Sequence, residues 1–182
     1  MSDSNETGRR KLAAVVYNPV KVELDDLRRV VEAEERAAGW EPSLWFETSE
    51  DDPGAGQARQ ALDAGATMVL AAGGDGTVRE VAEVLQGTDA SLALLPSGTG
   101  NLLARNLSLT LNDMEHSVHA AFSGGDRSID AGLIDIRRAD GGHAKHAFLV
   151  MAGFGIDAKM LSATDDELKA KVGWLEIGRA HV

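Results

Sequence analysis

Apolar residues along this chain fall into short unbroken runs, and between the runs they recur with a helical period. The clearest run is Met68 to Ala72, five apolar residues with no polar alternation, as expected of a strand covered on both faces of a parallel sheet. Gly73, Gly74, Asp75, Gly76 and Thr77 follow, and then Val78, Val81, Ala82 and Leu85 recur at i, i+3, i+4 and i+7, the spacing of one buried helix face. The same reading predicts strands at Lys11–Tyr17, Ser43–Glu47 and Ser91–Leu95. It predicts helices at Val22–Ala38 and Gln57–Ala64, with Asn18-Pro19, Gly39, Gly65 and the polar stretch Thr48–Gly56 as breaks. On the first helix Leu24, Leu27, Val30 and Val31 form the apolar side, and Glu32, Glu34, Glu35 and Arg36 are assigned to a solvated face.

Strand alternating with helix four times predicts an α/β fold, a parallel sheet with flanking helices. Such sheets bind ligands at the carboxyl ends of their strands. Two of these ends carry glycine-rich loops: Gly73–Thr77, and Pro96-Ser97-Gly98-Thr99-Gly100-Asn101 with Leu102, Leu103, Ala104 and Arg105 after it. The first turn of a helix leaves N–H groups without partners and carries the positive end of the dipole, so a phosphate suits it. Glycines let the anion approach the backbone. Asp75 beside a phosphate is repelled unless a cation or water intervenes, which suggests Mg2+-nucleotide. The plainer alternative is a strand-to-helix corner closed by a capping box of Thr77 and Glu80.

With 182 residues and 43% hydrophobic residues, the chain suits one average domain, or one and part of another. A net charge of -11, with no basic run, argues against nucleic-acid binding and broad attraction to anionic membranes. Without cysteine there are neither disulfides nor thiolate metal sites, and a reducing compartment is allowed. Met1–Arg10 is polar, and no run approaches membrane-spanning length. Trp40 and Trp45 read as packing residues. His116 and His119, three apart, lack a third ligand of matching spacing, and Asp126, Asp130, Asp135 and Asp140 read as strand-end and turn residues.

Together the two loops closely resemble the catalytic domain of the diacylglycerol kinase family, which includes bacterial soluble lipid kinases and sphingosine and ceramide kinases. Tyr17-Asn18-Pro19, Thr48, Ser128-Ile129-Asp130, Ala131-Gly132 and Gly153-Phe154-Gly155-Ile156-Asp157-Ala158 resemble further family motifs. The resemblance implies ATP-dependent phosphorylation of a lipid hydroxyl, diacylglycerol or a sphingoid-like alcohol, with ATP and Mg2+ as cofactors. It implies that backbone amides of Gly73, Gly74, Gly76 and Thr77 cradle ATP phosphates and that Asn18, Thr48, Thr99 and Asn101 add side-chain hydrogen bonds. Ser97, Gly98 and Gly100 complete the second nucleotide loop, and Asp75 orders Mg2+ or a phosphate-bound water. A metal-ligand set beyond this is unassigned. The implied location is cytoplasmic, with transient peripheral contact at the inner membrane face.

The family's late Asp-Gly-Glu, thought to supply the base, does not occur in this sequence. The expected organisation is a nucleotide-binding domain over residues 1–124 and the start of a β-rich lipid-substrate domain over 125–182. Strands are expected at Arg127–Arg137 and Lys145–Ala152, and short helices around Asp157–Ala163 and Asp165–Lys171, with open strand edges near Ala147–Met151 favouring aggregation. Ile177–Val182 reads as translated adapter DNA, which would make the chain an inactive N-terminal fragment without its base. Two alternatives stay open: a kinase of the NAD kinase type, disfavoured by Pro96–Asn101 and Arg105, and a module that binds ATP without catalysis.

Overall fold

A computed structural model describes residues 10–138 and 140–152. The motif at Gly153–Ala158, the two helices expected beyond it and Ile177–Val182 lie outside the described residues. Four strands, β1 (Leu12–Tyr17), β2 (Glu41–Glu47), β3 (Met68–Gly73) and β4 (Ser91–Pro96), form one sheet in the order β2-β1-β3-β4. Every pairing in it is parallel. The central strands β1 and β3 are buried along their whole length, while β2 and most of β4 are partly exposed. That is why the two central strands read as unbroken apolar runs.

Alternation along β1 and β3 feeds two separate cores. Ala13, Val15 and Tyr17 with Met68, Leu70 and Ala72 pack under α1 (Leu24–Ala37) and α5 (Met114–Ser123). Ala14 and Val16 with Val69 and Ala71 pack under α2 (Ala55–Asp63) and α3 (Asp75–Leu85). The result is a three-layer sandwich with helices on both faces. α4 (Leu102–Asn106) is a single short turn after β4. Trp40 and Trp45 are packing residues: Trp40 meets Phe122 edge-to-face at 5.4 Å, and Trp45 meets Tyr17 at 6.2 Å with Arg28 above its ring.

The solvated face assigned to α1 needs one correction. Glu35 is 6% exposed, because it lies four residues after Val31 and eight after Leu27 and so falls on their face. Its carboxylate accepts from the Ser43 N–H at 2.8 Å and the Ser43 Oγ at 2.5 Å, which joins the end of α1 to β2. Other differences are of boundary. β2 begins at Glu41, where Arg10 forms an exposed pair with the Glu41 carboxylate. α2 begins at Ala55, and Asp52 accepts from the Gly54 and Gly56 N–H groups at its start. His116 and His119 lie on α5, whose Asp113 cap accepts from the His116 N–H, and His119 Nδ1 meets the Glu34 carboxylate at 2.8 Å.

After α5 the chain forms an antiparallel hairpin, β5 (Gly132–Arg137) and β6 (His143–Phe148), with Leu133 opposite Ala147 and Arg137 opposite His143. Both strands are shorter than the pattern predicted. Gly141 and Gly142 make the turn between them, with the Arg138 N–H donating to the Gly142 carbonyl.

Replacing Ser43 by alanine leaves the buried Glu35 carboxylate one donor short. The expected loss is about 1–2 kcal/mol, read as a lower urea midpoint with an unchanged slope.

Candidate functional site

The sheet order creates a switch point. The chain leaves β1 toward the α1 face and leaves β3 toward the α3 face, so the loops after these neighbouring strands diverge and open a crevice at their carboxyl ends. Asn18 stands on one side of it. Its N–H donates to the Ala72 carbonyl at 2.9 Å, and its Oδ1 accepts from the Val20 N–H, which shapes the turn that Pro19 begins. Thr48, just past β2, is 4% exposed, and its N–H donates to the Tyr17 carbonyl. Next to it Gln57 donates from Nε2 to the Glu47 carbonyl, while its Oε1 is buried without a hydrogen-bond partner among the described residues.

The first glycine loop differs from the capping-box alternative. Gly74 is the N-cap, α3 starts at Asp75, and among the described residues no side chain caps it. Thr77 therefore lies inside the first turn, buried at 4%, and folds back over Gly73. A Cβ at Gly73 would lie 2.7 Å from Thr77 Oγ1 and 2.8 Å from its Cβ, so only glycine fits beneath that threonine. With Thr77 so placed, the first-turn N–H groups of Asp75, Gly76 and Thr77 have no capping side chain among the described residues. Gly76 faces open space.

The second loop packs directly on the first. A Cβ at Gly98 would sit 2.6 Å from the Gly74 Cα, so the two backbones touch where a side chain would separate them. The Ser97 N–H donates to the Gly73 carbonyl, extending the β3–β4 ladder into the loops. Asn101 holds a left-handed conformation (φ 48°, ψ 46°) that asparagine tolerates. Its side-chain amide closes on Gly98 at both ends, accepting from the N–H at 3.0 Å and donating to the carbonyl at 2.8 Å. Arg105 Nε donates to the buried Gly100 carbonyl at 2.7 Å, Ser97 Oγ turns back onto the Leu95 carbonyl, and Thr99 is exposed.

Asp75 joins the two loops: its Oδ1 accepts from the Leu102 N–H at 2.6 Å, from the start of α3 to the start of α4. Its other oxygen has no hydrogen bond among the described residues. Five of the sequence-predicted residues, Gly73, Gly74, Asp75, Ser97 and Gly98, therefore meet in one loop pair. Asn101 acts on that pair through its own loop, and Asn18 and Thr48 stand at the ends of the neighbouring strands. Among the described residues no three His, Asp or Glu side chains gather as a metal site.

Sequence reasoning passed over Lys21. The Asn18 turn holds it, its N–H donating to the Asn18 carbonyl at 3.0 Å. It lines a cavity of about 290 Å3 with Pro96 and Ser97 of the second loop and Asp26, Asp113 and Met114 of the helices. The available signal was a lysine three residues after the asparagine that follows β1. Tyr17, the last residue of β1, was read as strand and as part of the Tyr17-Asn18-Pro19 motif, without a side-chain role. Its hydroxyl donates to Glu47 Oε2 at 2.9 Å. Burial first, and then that hydrogen bond, raise its pKa above the usual tyrosine value of 10.0, with Arg28 opposing.

The fold agrees with comparisons against known proteins. The diacylglycerol kinase catalytic domain matches residues 13–134, and the chain belongs to that family. A probable YegS-like lipid kinase of Pseudomonas fluorescens is 36% identical over 151 residues, covering 82% of this chain and 46% of that protein. A relative of the same description from Pseudomonas aeruginosa is 36% identical over 147 residues, covering 80% and 45%. The chain thus spans about half the length of these curated relatives. A diacylglycerol kinase structure from Bacillus anthracis str. Sterne shares the fold with a TM-score of 0.52 at 20% identity, covering 75% of this chain and 50% of that one. Among the described residues no helix is long and apolar enough to cross a membrane.

Two outcomes test this geometry. Gly98→Ala must push the loops apart, at an expected cost of about 1–3 kcal/mol, measured by urea denaturation. For Tyr17, the unfolded chain gives up its phenol proton first as pH rises past 10.0, so the folded state then binds more protons and stability falls. Tyr17→Phe is expected to lose about 1 kcal/mol near neutral pH and to lack that part of the alkaline decline, seen by comparing urea midpoints at about pH 8 and about pH 11.

Proposed function

We propose that this chain carries the nucleotide-binding part of an ATP-dependent lipid kinase, which transfers the γ-phosphate of ATP to a lipid hydroxyl. The observation that carries the reading is the joined loop pair: a helix start without a capping side chain, abutted by a second loop that touches it backbone to backbone. An anion of triphosphate size is the ligand that such donors suit. The first-turn N–H groups of α3 would take the phosphates. Lys21 supplies a positive charge beside Ser97, and Asn18 and Thr48 stand at the ends of β1 and β2, where the rest of the nucleotide would lie.

Mg2+ fits this donor set in a limited way. Asp75 has one carboxylate oxygen committed to Leu102 and one uncommitted. A site with one protein carboxylate and the remaining positions taken by phosphate oxygens and water is usual for Mg2+. When bound, the ion would neutralise the charge that gathers on the transferred phosphoryl group. The residues of this chain hold the phosphates in place and keep the two loops at a fixed separation, which is most of what phosphoryl transfer asks of a protein. The transfer itself, the lipid acceptor and any peripheral membrane contact are proposed for the full length that the relatives have. Among the acceptors, diacylglycerol and sphingoid-like alcohols fit the family equally.

Asp75→Asn tests this directly, because the amide oxygen can still accept from Leu102 while the charge for Mg2+ is gone. In the native chain Mg2+ is expected to raise ATP affinity, and in the variant that gain should fall by about tenfold or more. Calorimetric titration of ATP with and without Mg2+ measures it. An undiminished Mg2+ effect would remove Asp75 from the metal role. No ATP binding by the native chain would remove the nucleotide reading.

A further inference from the structure

The helix that begins at the phosphate loop also holds the hairpin. Eight residues after Asp75, about 12 Å along the axis at the helical rise, Glu83 points its carboxylate at β6. Glu83 Oε2 accepts from the Ala147 N–H at 3.1 Å. In an antiparallel pair every second residue turns its N–H away from the partner strand, and the N–H of Ala147 points out of the hairpin toward α3. Ala147 is 4% exposed, so water has little access to that donor if Glu83 is lost. His146 Nδ1 lies 3.6 Å and Arg79 NH1 3.9 Å from the same Glu83 oxygen. Beside this joint lies a cavity of about 440 Å3, with Gln86, Asp135 and Lys145 also on its walls. A cavity there means that packing alone does not fix the hairpin against the helix, and a directional bond carries more of that task.

We propose that Glu83 is a positioning residue that sets the orientation of the β5–β6 hairpin relative to the phosphate-loop helix. It touches neither loop, and it acts through Ala147. The inference deepens the kinase reading and rests on it for its purpose. An acceptor site built onto the hairpin would inherit its distance and angle to the phosphate loop from this one carboxylate. The ion pairs around Glu83 contribute less than the hydrogen bond, since His146 and Arg79 are almost half exposed, at 44% and 47%. A neutral glutamine, which keeps an acceptor oxygen, should therefore do the same work.

The test is made on the chain itself by NMR, with Glu83→Ala and Glu83→Gln compared with the native protein. Residual dipolar couplings report whether hairpin and sheet share one alignment, and hydrogen exchange reports the Ala147 amide. In Glu83→Ala the Ala147 amide is expected to exchange about tenfold faster, and the hairpin couplings should no longer fit the alignment of the sheet, while the β5–β6 cross-strand contacts persist. Glu83→Gln should restore both. A shared alignment retained in Glu83→Ala overturns the proposal, as does a Gln variant that behaves like Ala. If Glu83→Ala loses protection throughout the sheet, the Gln variant alone decides, and native-like couplings there are the supporting result. ATP titration of all three proteins separates this from the function. Failure of the joint with ATP binding intact touches only Glu83, and absence of ATP binding in the native protein touches only the kinase reading.

Discussion

The contact between Gly74 and Gly98 is the constraint on which the site depends. Two loops leave the neighbouring strands β3 and β4 and run against each other at Gly74 and Gly98. At Gly98 a Cβ would fall 2.6 Å from the Gly74 Cα, so glycine there lets the contact be a backbone contact. Around it the hydrogen bonds are arranged to keep the separation constant: Ser97 to Gly73 beneath, Asn101 closing on Gly98 to one side, and Asp75 reaching across to Leu102. A carboxylate at the start of α3 also suits the positive end of that helix. The same carboxylate thus joins the two loops and lies where the helix dipole favours negative charge.

Much of the fold was legible because its two central strands are buried on both sides. β1 and β3 could be written only as unbroken apolar runs, and the glycine loops that end in helices are short enough for their spacing to survive as a motif. The parallel sheet and its four strand-helix alternations followed from these. The strand ends were less legible at the sheet edge. β2 is half exposed and begins with Glu41 and Pro42, residues that no strand pattern favours, and its start is held by Arg10 and by pairing with β1 rather than by its own composition.

What escaped the reading is polar side chains whose partners the local spacing does not announce. Glu35 was placed with its charged neighbours, although the helical period already put it on the inner face, because nothing in the sequence announced Ser43 as its donor. Thr77 with Glu80 matched a capping box, yet the space above Gly73 drew the threonine inward and moved the cap to Gly74. The reach of Asp75 to Leu102 crosses twenty-seven residues and leaves no periodic trace. Local spacing reports which residues share a face, and it reports poorly which polar groups will find one another once the faces are packed.

The strand order also has a consequence for how the chain reaches its native state. β1, the first strand made, lies between the second and the third. Its inner pairing, Ala13 with Met68 through Tyr17 with Ala72, joins segments separated by more than fifty residues. On a ribosome the earliest strand must wait, flanked by one partner only, until β3 has emerged. Ordering such a long loop carries an entropic cost before any burial offsets it. The crevice at the switch point lies between β1 and β3, so it takes shape only once this long-range pairing is made.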